Sequence, residues 1–218
     1  LNRVLQELRP PSAMMGTIVR QIGEQSWTQR HTTPEAPAVQ RFLADALLAG
    51  CRQSVLEVSS HGLQLSRMEG TRFSVGLFTN LSRDHLDFHS DMEDYFRAKR
   101  QLFEHHLKPN GKAIVCVDDP YGVRLARELT CELTTYGTTP TADLCLNELE
   151  AGPEGLKVHF TERGVERKLR SPLLGAFNAA NLVAVYGVSR ALGLPAEDVL
   201  SVLSRARGAP GRFDHSRS

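Results

Sequence analysis

Two short β-branched runs, each breaking at once into a cluster of polar residues, constrain this chain more than any other feature. Ser54 to Val58 (SVLEV) is short enough for a buried strand and gives way to Ser59, Ser60, His61 and Gly62. Phe73 to Phe78 gives way to Thr79 and Asn80, and then to Arg83, Asp84, His85, Asp87 and His89. A turn needs far less polar chemistry than that. The pattern predicts two strands that deliver their carboxyl ends to one place, where open parallel sheets bind ligands. Next, Ser90 and Glu93 form a capping-box pair, and the spacing predicts a helix beginning near Asp91. Its apolar stripe is Met92, Tyr95, Phe96, Leu102 and Phe103, with His106 at its end, and Lys99 falls inside that stripe. Lys99 either snorkels from the stripe's edge or loses its water, and loss of water favours the neutral, nucleophilic amine.

The rest of the chain alternates strand and helix. Asn2 to Leu8 reads as the end of a helix stopped by Pro10-Pro11, and Ala13 to Val19 as a strand. A helix follows His31-Thr32-Thr33-Pro34-Glu35, with Val39, Phe42, Leu43, Ala46 and Leu47 on one face and Gly50 at its end. Its start is capped either by a Thr32–Glu35 box or by Thr33 with Pro34 at the first helical position. Ala113 to Val117 is a strand leading through Asp118-Asp119-Pro120 into a helix carrying Val123, Leu125, Ala126 and Leu129, and Leu133 to Tyr136 is the next strand. Such alternation predicts an α/β fold, a mostly parallel sheet flanked by helices. After Pro140 the segments Leu144 to Leu149, Leu156 to Phe160 and Val165 to Leu169 alternate between Gly-bearing turns and read as a small antiparallel meander, an appendage of the same domain. Asn178 caps a helix over Leu182 to Leu192, and a short helix spans Ala196 to Leu203.

Three motifs in order, ExSSHGL from Glu57, FTNLxxDHLDxH from Phe78 and YFxAK ending at Lys99, resemble the Mur ligases of peptidoglycan synthesis. They are most similar to the members that extend UDP-N-acetylmuramoyl-L-alanyl-D-glutamate by a third amino acid. The resemblance covers residues 1–218 as the central domain of a three-domain enzyme. It implies that the lysine matching Lys99 is carbamylated and, with Glu57 and His85, holds Mg²⁺; hard oxygen donors suit that ion and one imidazole is tolerable. Asp84 and Asp87 either cap the loop or support the site from behind these ligands. By the same resemblance Thr32, Thr33, Ser59 and Arg67 bind the UDP-MurNAc-dipeptide, where a guanidinium fork suits phosphate or carboxylate. His31 stands where relatives commonly carry asparagine, and Gln64 is one place from the family's glutamine. Gly16-Thr17 matches the family's GT. Asn178 and Asn181 match its nucleotide motif FNxxN, and Arg212, in Pro210-Gly211-Arg212-Phe213, matches an arginine that lies near ATP. The reaction implied is ATP-dependent amide ligation through an acyl phosphate, with a diamino acid as the incoming amine.

The phosphate-binding loop that would serve ATP is absent. The only Gly-Lys pair, Gly111-Lys112, is followed by Ala113, and His106 stands where GxxxxGK needs its first glycine. The sequence therefore predicts a fragment rather than a pseudoenzyme, without the UDP-binding and amino-acid-binding domains and inactive alone. Two other readings are a non-catalytic muropeptide-binding remnant and a folylpolyglutamate synthase-like ligase; the DHLDxH and TTPE wording argues against the second. A hydrolase built on Ser59 and His61 lacks a GxSxG elbow.

Composition excludes several classes. A net charge of +1 over 218 residues gives no case for nucleic acid or an anionic membrane, and no apolar run approaches a membrane span. Cys51, Cys116, Cys131 and Cys145 are scattered without CxxC spacing, as expected of free thiols in a reducing cytoplasm. A cytoplasmic monomer is the expected state.

Overall fold

The computed structural model describes residues 1–29, 32–82 and 88–208. In chain order its elements are α1 (Asn2–Leu8), β1 (Ser12–Met15), β2 (Val19–Ile22), β3 (Gln25–Thr28), α2 (Ala36–Leu48), β4 (Gln53–Leu56), α3 (Ser60–Gln64), β5 (Phe73–Phe78), α4 (Met92–His105), β6 (Leu107–Cys116), α5 (Pro120–Glu128), β7 (Glu132–Gly137), β8 (Leu144–Gly152), β9 (Gly155–Glu162), β10 (Val165–Ser171), α6 (Phe177–Ala191) and α7 (Ala196–Leu203). They fall into two compact units, one of Leu1–Gly76, Leu81–Ala113 and Leu129–Glu132, the other of Leu77–Asn80, Ile114–Glu128 and Leu133–Ser218.

In the first unit a four-stranded sheet runs in the order β3-β2-β1-β4. β1 and β4 are parallel, with Met15 opposite Leu56, and the ladder continues where Glu57 N–H donates to Met15 O at 2.9 Å. Both strands thus run out at the same edge, which places Gly16-Thr17 beside Glu57. The run expected as one strand from Ala13 to Val19 is instead broken by a turn, because Gly16 N–H donates to Val19 O at 2.9 Å and β2 folds back antiparallel on β1. β2 and β3 were not anticipated. Their residues are mostly exposed and polar, so the alternating apolar signal of a half-buried strand is missing. The unit's core joins Ala13 and Met15 to Val39, Phe42 and Ala46 of α2, with Leu63 and Met68. Leu47, expected on that face, is 60% exposed.

β5, α4 and β6 form a strand–helix–strand crossover between sheet neighbours, and Phe73 N–H donates to His106 O at 2.7 Å where the two strands begin. α4 opens one residue later than its capping box suggested. Asp91 is the N-cap and its Oδ1 accepts from Asp94 N–H at 2.7 Å, while Asp94 reaches back to Ser90 N–H at 3.2 Å. The cap moved one place on, from Ser90 with Glu93 to Asp91 with Asp94, where a full charge meets an orphan amide of the first turn.

In the second unit β7 and β8 are parallel, Tyr136 opposite Leu144, and β8, β9 and β10 pair antiparallel. The meander therefore extends the main sheet, whose order is β10-β9-β8-β7-β6-β5, rather than hanging from it. α6 packs on β8 and β9, where Tyr186 meets Phe160 edge-on at 4.9 Å. α6 begins at Phe177, five residues before the expected Leu182, so Asn178 lies inside the helix and is not its cap. The four cysteines are free. Among the described residues no helix is long and apolar enough to cross a membrane.

The β9–β10 hairpin turns on Arg163 and Gly164, at φ +47° and +86°, between Glu162 and its partner Val165. Such a two-residue turn asks both positions for positive φ, which costs an arginine more than an asparagine. The Arg163 side chain gives little in return, its exposed Nε lying 3.8 Å from Asp143, and the 2.8 Å bond from its backbone N–H to Asp143 O would survive substitution. Arg163→Asn is expected to stabilise the chain by roughly 1 kcal/mol, read from chemical denaturation midpoints at unchanged m-value.

Candidate functional site

The parallel ends of β1 and β4 create a polar network within the first unit. Glu57 is exposed, and its Oε2 accepts from the Thr17 N–H and the Thr17 hydroxyl, both at 2.7 Å. Gly16 permits the approach: a Cβ there would lie 3.3 Å from the Glu57 carboxylate carbon. With its hydrogen spent on Glu57, the Thr17 hydroxyl accepts from Thr32 Oγ1 at 3.1 Å. Oε1 has no hydrogen bond among the described residues, so the carboxylate keeps one oxygen for a further ligand.

Thr33 is the centre of the second half. It is 3% exposed, and its hydroxyl donates to Glu57 O at 3.2 Å while accepting from Ser59 N–H at 3.0 Å and Ser59 Oγ at 3.2 Å. The helix that follows is capped by neither threonine: Glu35 is the N-cap of α2, with no side-chain capping bond. Both expected caps fail for one reason, since the hydroxyls are used on Glu57, Thr17 and Ser59. Ser59 in turn caps α3, accepting from Gly62 N–H at 3.0 Å. Gly62 must be glycine here, because a Cβ would lie 2.5 Å from Thr33 Cγ2 and 2.7 Å from its Cβ.

Arg67 folds back on the same loop. Nη1 donates to Thr33 O at 3.1 Å and Nη2 pairs with Glu35 at 2.8 Å, while Nε is buried without a hydrogen-bond partner among the described residues. Glu35's side chain is 71% exposed, and an ion pair of that kind contributes about 1 kcal/mol at most, so a better anion exchanges with it readily.

Lys99 is half-buried, between the two alternatives that the periodicity left open. Its Nζ lies 5.4 Å from the centroid of the Tyr95 ring, one turn earlier on α4, whose buried stripe is Tyr95, Phe96 and Phe103. His85, with Asp84 and Asp87, lies outside the described residues, as do His31 and Arg212. Among the described residues no group of three or more His, Cys, Asp and Glu side chains could hold a metal ion. β4 and β5 belong to different sheets, and β4 pairs with β1. Gln64 is exposed. The Ser59–His61 hydrolase arrangement is not formed, since Ser59 serves Thr33 and Gly62 and His61 stacks on Phe88 at 3.9 Å.

In the second unit Asn178 Nδ2 donates to Leu174 O at 2.8 Å, and its Oδ1 accepts from Asn181 Nδ2 at 3.2 Å. The pair is linked, with Asn181 exposed. The residue of this network that reading by local pattern undervalued is Thr17. Its signal was the GT pair, but its partner Glu57 lies 40 residues on.

The model of the Mur ligase middle domain matches residues 1–189. Among curated proteins, the UDP-N-acetylmuramoyl-L-alanyl-D-glutamate--2,6-diaminopimelate ligase of Gloeobacter violaceus is 41% identical over 210 residues, 96% of this chain and 42% of that protein. The protein of the same name from Thermosynechococcus vestitus is 42% identical over 221 residues, 100% of this chain and 44% of its own length. A solved structure of a ligase so named superimposes with a TM-score of 0.85 at 30% identity, covering 96% of this chain and 43% of that one. The MurF ligase of Thermotoga maritima in complex with ADP shares the fold, with a TM-score of 0.69 at 18% identity over 98% of this chain and 46% of that one. The chain thus spans about two fifths of the length of the curated relatives it matches.

Proposed function

Because this chain belongs to the Mur ligase family through its middle domain, we propose that it serves an ATP-dependent ligase that adds the third amino acid to UDP-MurNAc-L-Ala-D-Glu, and that it holds the acceptor carboxylate and Mg²⁺. The observation that carries this reading is the network joining Glu57, Thr17, Thr32, Thr33, Ser59 and Arg67 where β1 and β4 end together. The names of the curated relatives favour diaminopimelate as the incoming amine.

The side chains divide the work. Arg67 exchanges Glu35 for an anionic group of the acceptor, while the half-buried Thr32 hydroxyl, its hydrogen given to Thr17, is left to accept from an N–H or O–H. Thr33 has its hydroxyl committed on every side, so it orders Ser59 and Glu57 and meets the acceptor through backbone. Glu57, with one oxygen tied by Thr17 and one open, fits a hard cation, and His85 and a carbamylated Lys99 would complete the set. Bound there, Mg²⁺ would offset negative charge between the acceptor carboxylate and a phosphoryl donor. Capture of carbon dioxide by Lys99 requires the neutral amine. Asn178, Asn181 and Arg212 are assigned to the nucleotide. Protein groups align and neutralise, which is most of what phosphoryl transfer to a carboxylate requires.

Titration calorimetry with UDP-MurNAc-L-Ala-D-Glu tests the acceptor half directly. Arg67→Ala is expected to weaken binding about tenfold, the worth of one charge-assisted hydrogen bond. Equal affinity in wild type and variant removes Arg67 from the site, and no binding by either removes the reading. Ligation itself is a separate measurement, since these 218 residues contain no GxxxxGK[ST] loop.

A further inference from the structure

The acceptor residues Ser59 and Arg67 flank α3, and α3 has five residues. A helix that short does not hold its own conformation or direction in water, so its placement comes from contacts outside it. Thr33 fixes one side. On the other, Ser60, the first helical residue, is 2% exposed and its Oγ lies 2.8 Å from Nε2 of His89, itself 1% exposed. Nδ1 of His89 faces Asp94 Oδ2 at 3.5 Å, and the His89 ring stacks on Tyr95 at 4.9 Å. Asp94 is held in the first turn of α4 by the Ser90 and Asp91 contacts. Among the described residues Nδ1 is buried without a hydrogen-bond partner, so the contact with Ser60 is the ring's one hydrogen bond there, and which atom donates follows the tautomer.

Serine, histidine and carboxylate stand in the order of a nucleophile, its base and the base's partner, with Asp94 near Nδ1 but not hydrogen-bonded to it. Burial decides against that use, because a Ser60 Oγ closed off from solvent cannot meet a substrate. We infer that Ser60, His89 and Asp94 form a positioning relay that sets the first turn of α3 from the first turn of α4. Through it the Ser59–Thr33 contact and the anchoring of Arg67, whose N–H donates to Gly62 O at 2.8 Å, stay in register with the helix that carries Lys99. The inference rests on the reading of Thr33, Ser59 and Arg67 as the acceptor site. His89 acts on the acceptor through Ser60 and α3 and is a positioning residue, not a catalytic one.

Hydrogen exchange of the full chain, with acceptor calorimetry on the same samples, tests it. In His89→Ala, and in Ser60→Ala, which deletes one atom from a closed site, the Ser59 and Gly62 amides are expected to exchange about tenfold faster while β8–β9 amides keep their rates. Acceptor affinity falls about tenfold in both. His89→Gln, whose amide group can still hydrogen-bond the Ser60 hydroxyl, restores most of the protection and affinity. Unchanged exchange at Ser59 and Gly62, or equal acceleration throughout the chain, overturns the relay. If wild type fails to bind the acceptor while the local exchange changes as stated, the acceptor reading falls and the relay stands. If wild type and both alanine variants bind it equally well with unchanged exchange, the relay falls and the acceptor reading stands.

Discussion

Gly62→Ala is expected to abolish measurable acceptor binding and to destabilise the chain by about 3 kcal/mol, near the upper end of the usual cost of overpacking. The added methyl would sit 2.5 Å from Thr33 Cγ2, 2.7 Å from Thr33 Cβ and 3.0 Å from its Oγ1. A long side chain would swing away, but Thr33 has nowhere to go. Its χ1 is stiff because the residue is β-branched, and its hydroxyl is fixed by Glu57 O and by both donors of Ser59. Relief must come from backbone movement of α3 or of the Thr33 loop, and either movement breaks the Ser59 contacts and displaces Arg67 from Thr33 O. For a chain of this size the loss corresponds to a fall in Tm of roughly 10 °C. Thr33→Ser alone keeps the hydroxyl and is mild; combined with Gly62→Ala it removes the 2.5 Å clash but not the 2.7 Å one, so it rescues partly. Thermal denaturation of the four proteins gives the coupling energy. A Gly62→Ala chain that melts and binds as wild type does would show that Thr33 is not held as described.

The contrast between what the sequence showed and what it concealed comes from the range of each interaction. α4, α7 and the β8–β10 meander were legible because their periodicity is local and repeated, and Tyr95, Phe96 and Phe103 are buried on the stripe that the spacing defined. β2 and β3 were not, since Gln25 to Thr28 carries no buried residue to mark a face. Thr33 was read as a cap because local rules offer a threonine before a helix only that task. Its real partner, Ser59, is 26 residues away, as Glu57 is 40 from Thr17 and His89 is 29 from Ser60. The motifs singled out individual residues, whereas the hydrogen bonds that join them are contacts between distant segments. Asn178 shows the converse. Its side chain suits a cap, and packing of Ala179, Leu182 and Val183 extended the helix past it.

In the second unit the largest expected stability effect comes from Glu162, which gathers three partners at the end of β9. Its Oε2 accepts from Arg167 Nε and Nη2, at 3.1 and 2.9 Å, and from the Tyr186 hydroxyl at 2.7 Å, and its Oε1 accepts from Arg190 Nε at 2.9 Å. The carboxylate side chain is 16% exposed, which places it between a surface pair worth under about 1 kcal/mol and a buried one whose rupture costs about 3–5 kcal/mol. Glu162→Ala, leaving two guanidiniums and a phenol facing each other, is expected to cost about 2–3 kcal/mol. Burial raises the carboxyl's pKa, but hydrogen bonds from Arg190, Tyr186 and Arg167 outweigh it and hold the group below its ordinary 4.5. A folded-state pKa below the unfolded one means that the contribution is complete above about pH 4.5 and is lost as pH falls through the lower value. Tyr186 is pushed up to about 12 by burial and by its bond to Glu162, so its share persists at about pH 10 and disappears as pH approaches 12. Glu162→Gln keeps the volume and removes the charge. Its deficit against wild type, followed by denaturant titration, should be greatest between about pH 5 and 10 and should shrink towards about pH 3. A deficit that stays the same at about pH 3 and pH 7 would mean that the glutamate stabilises by packing alone.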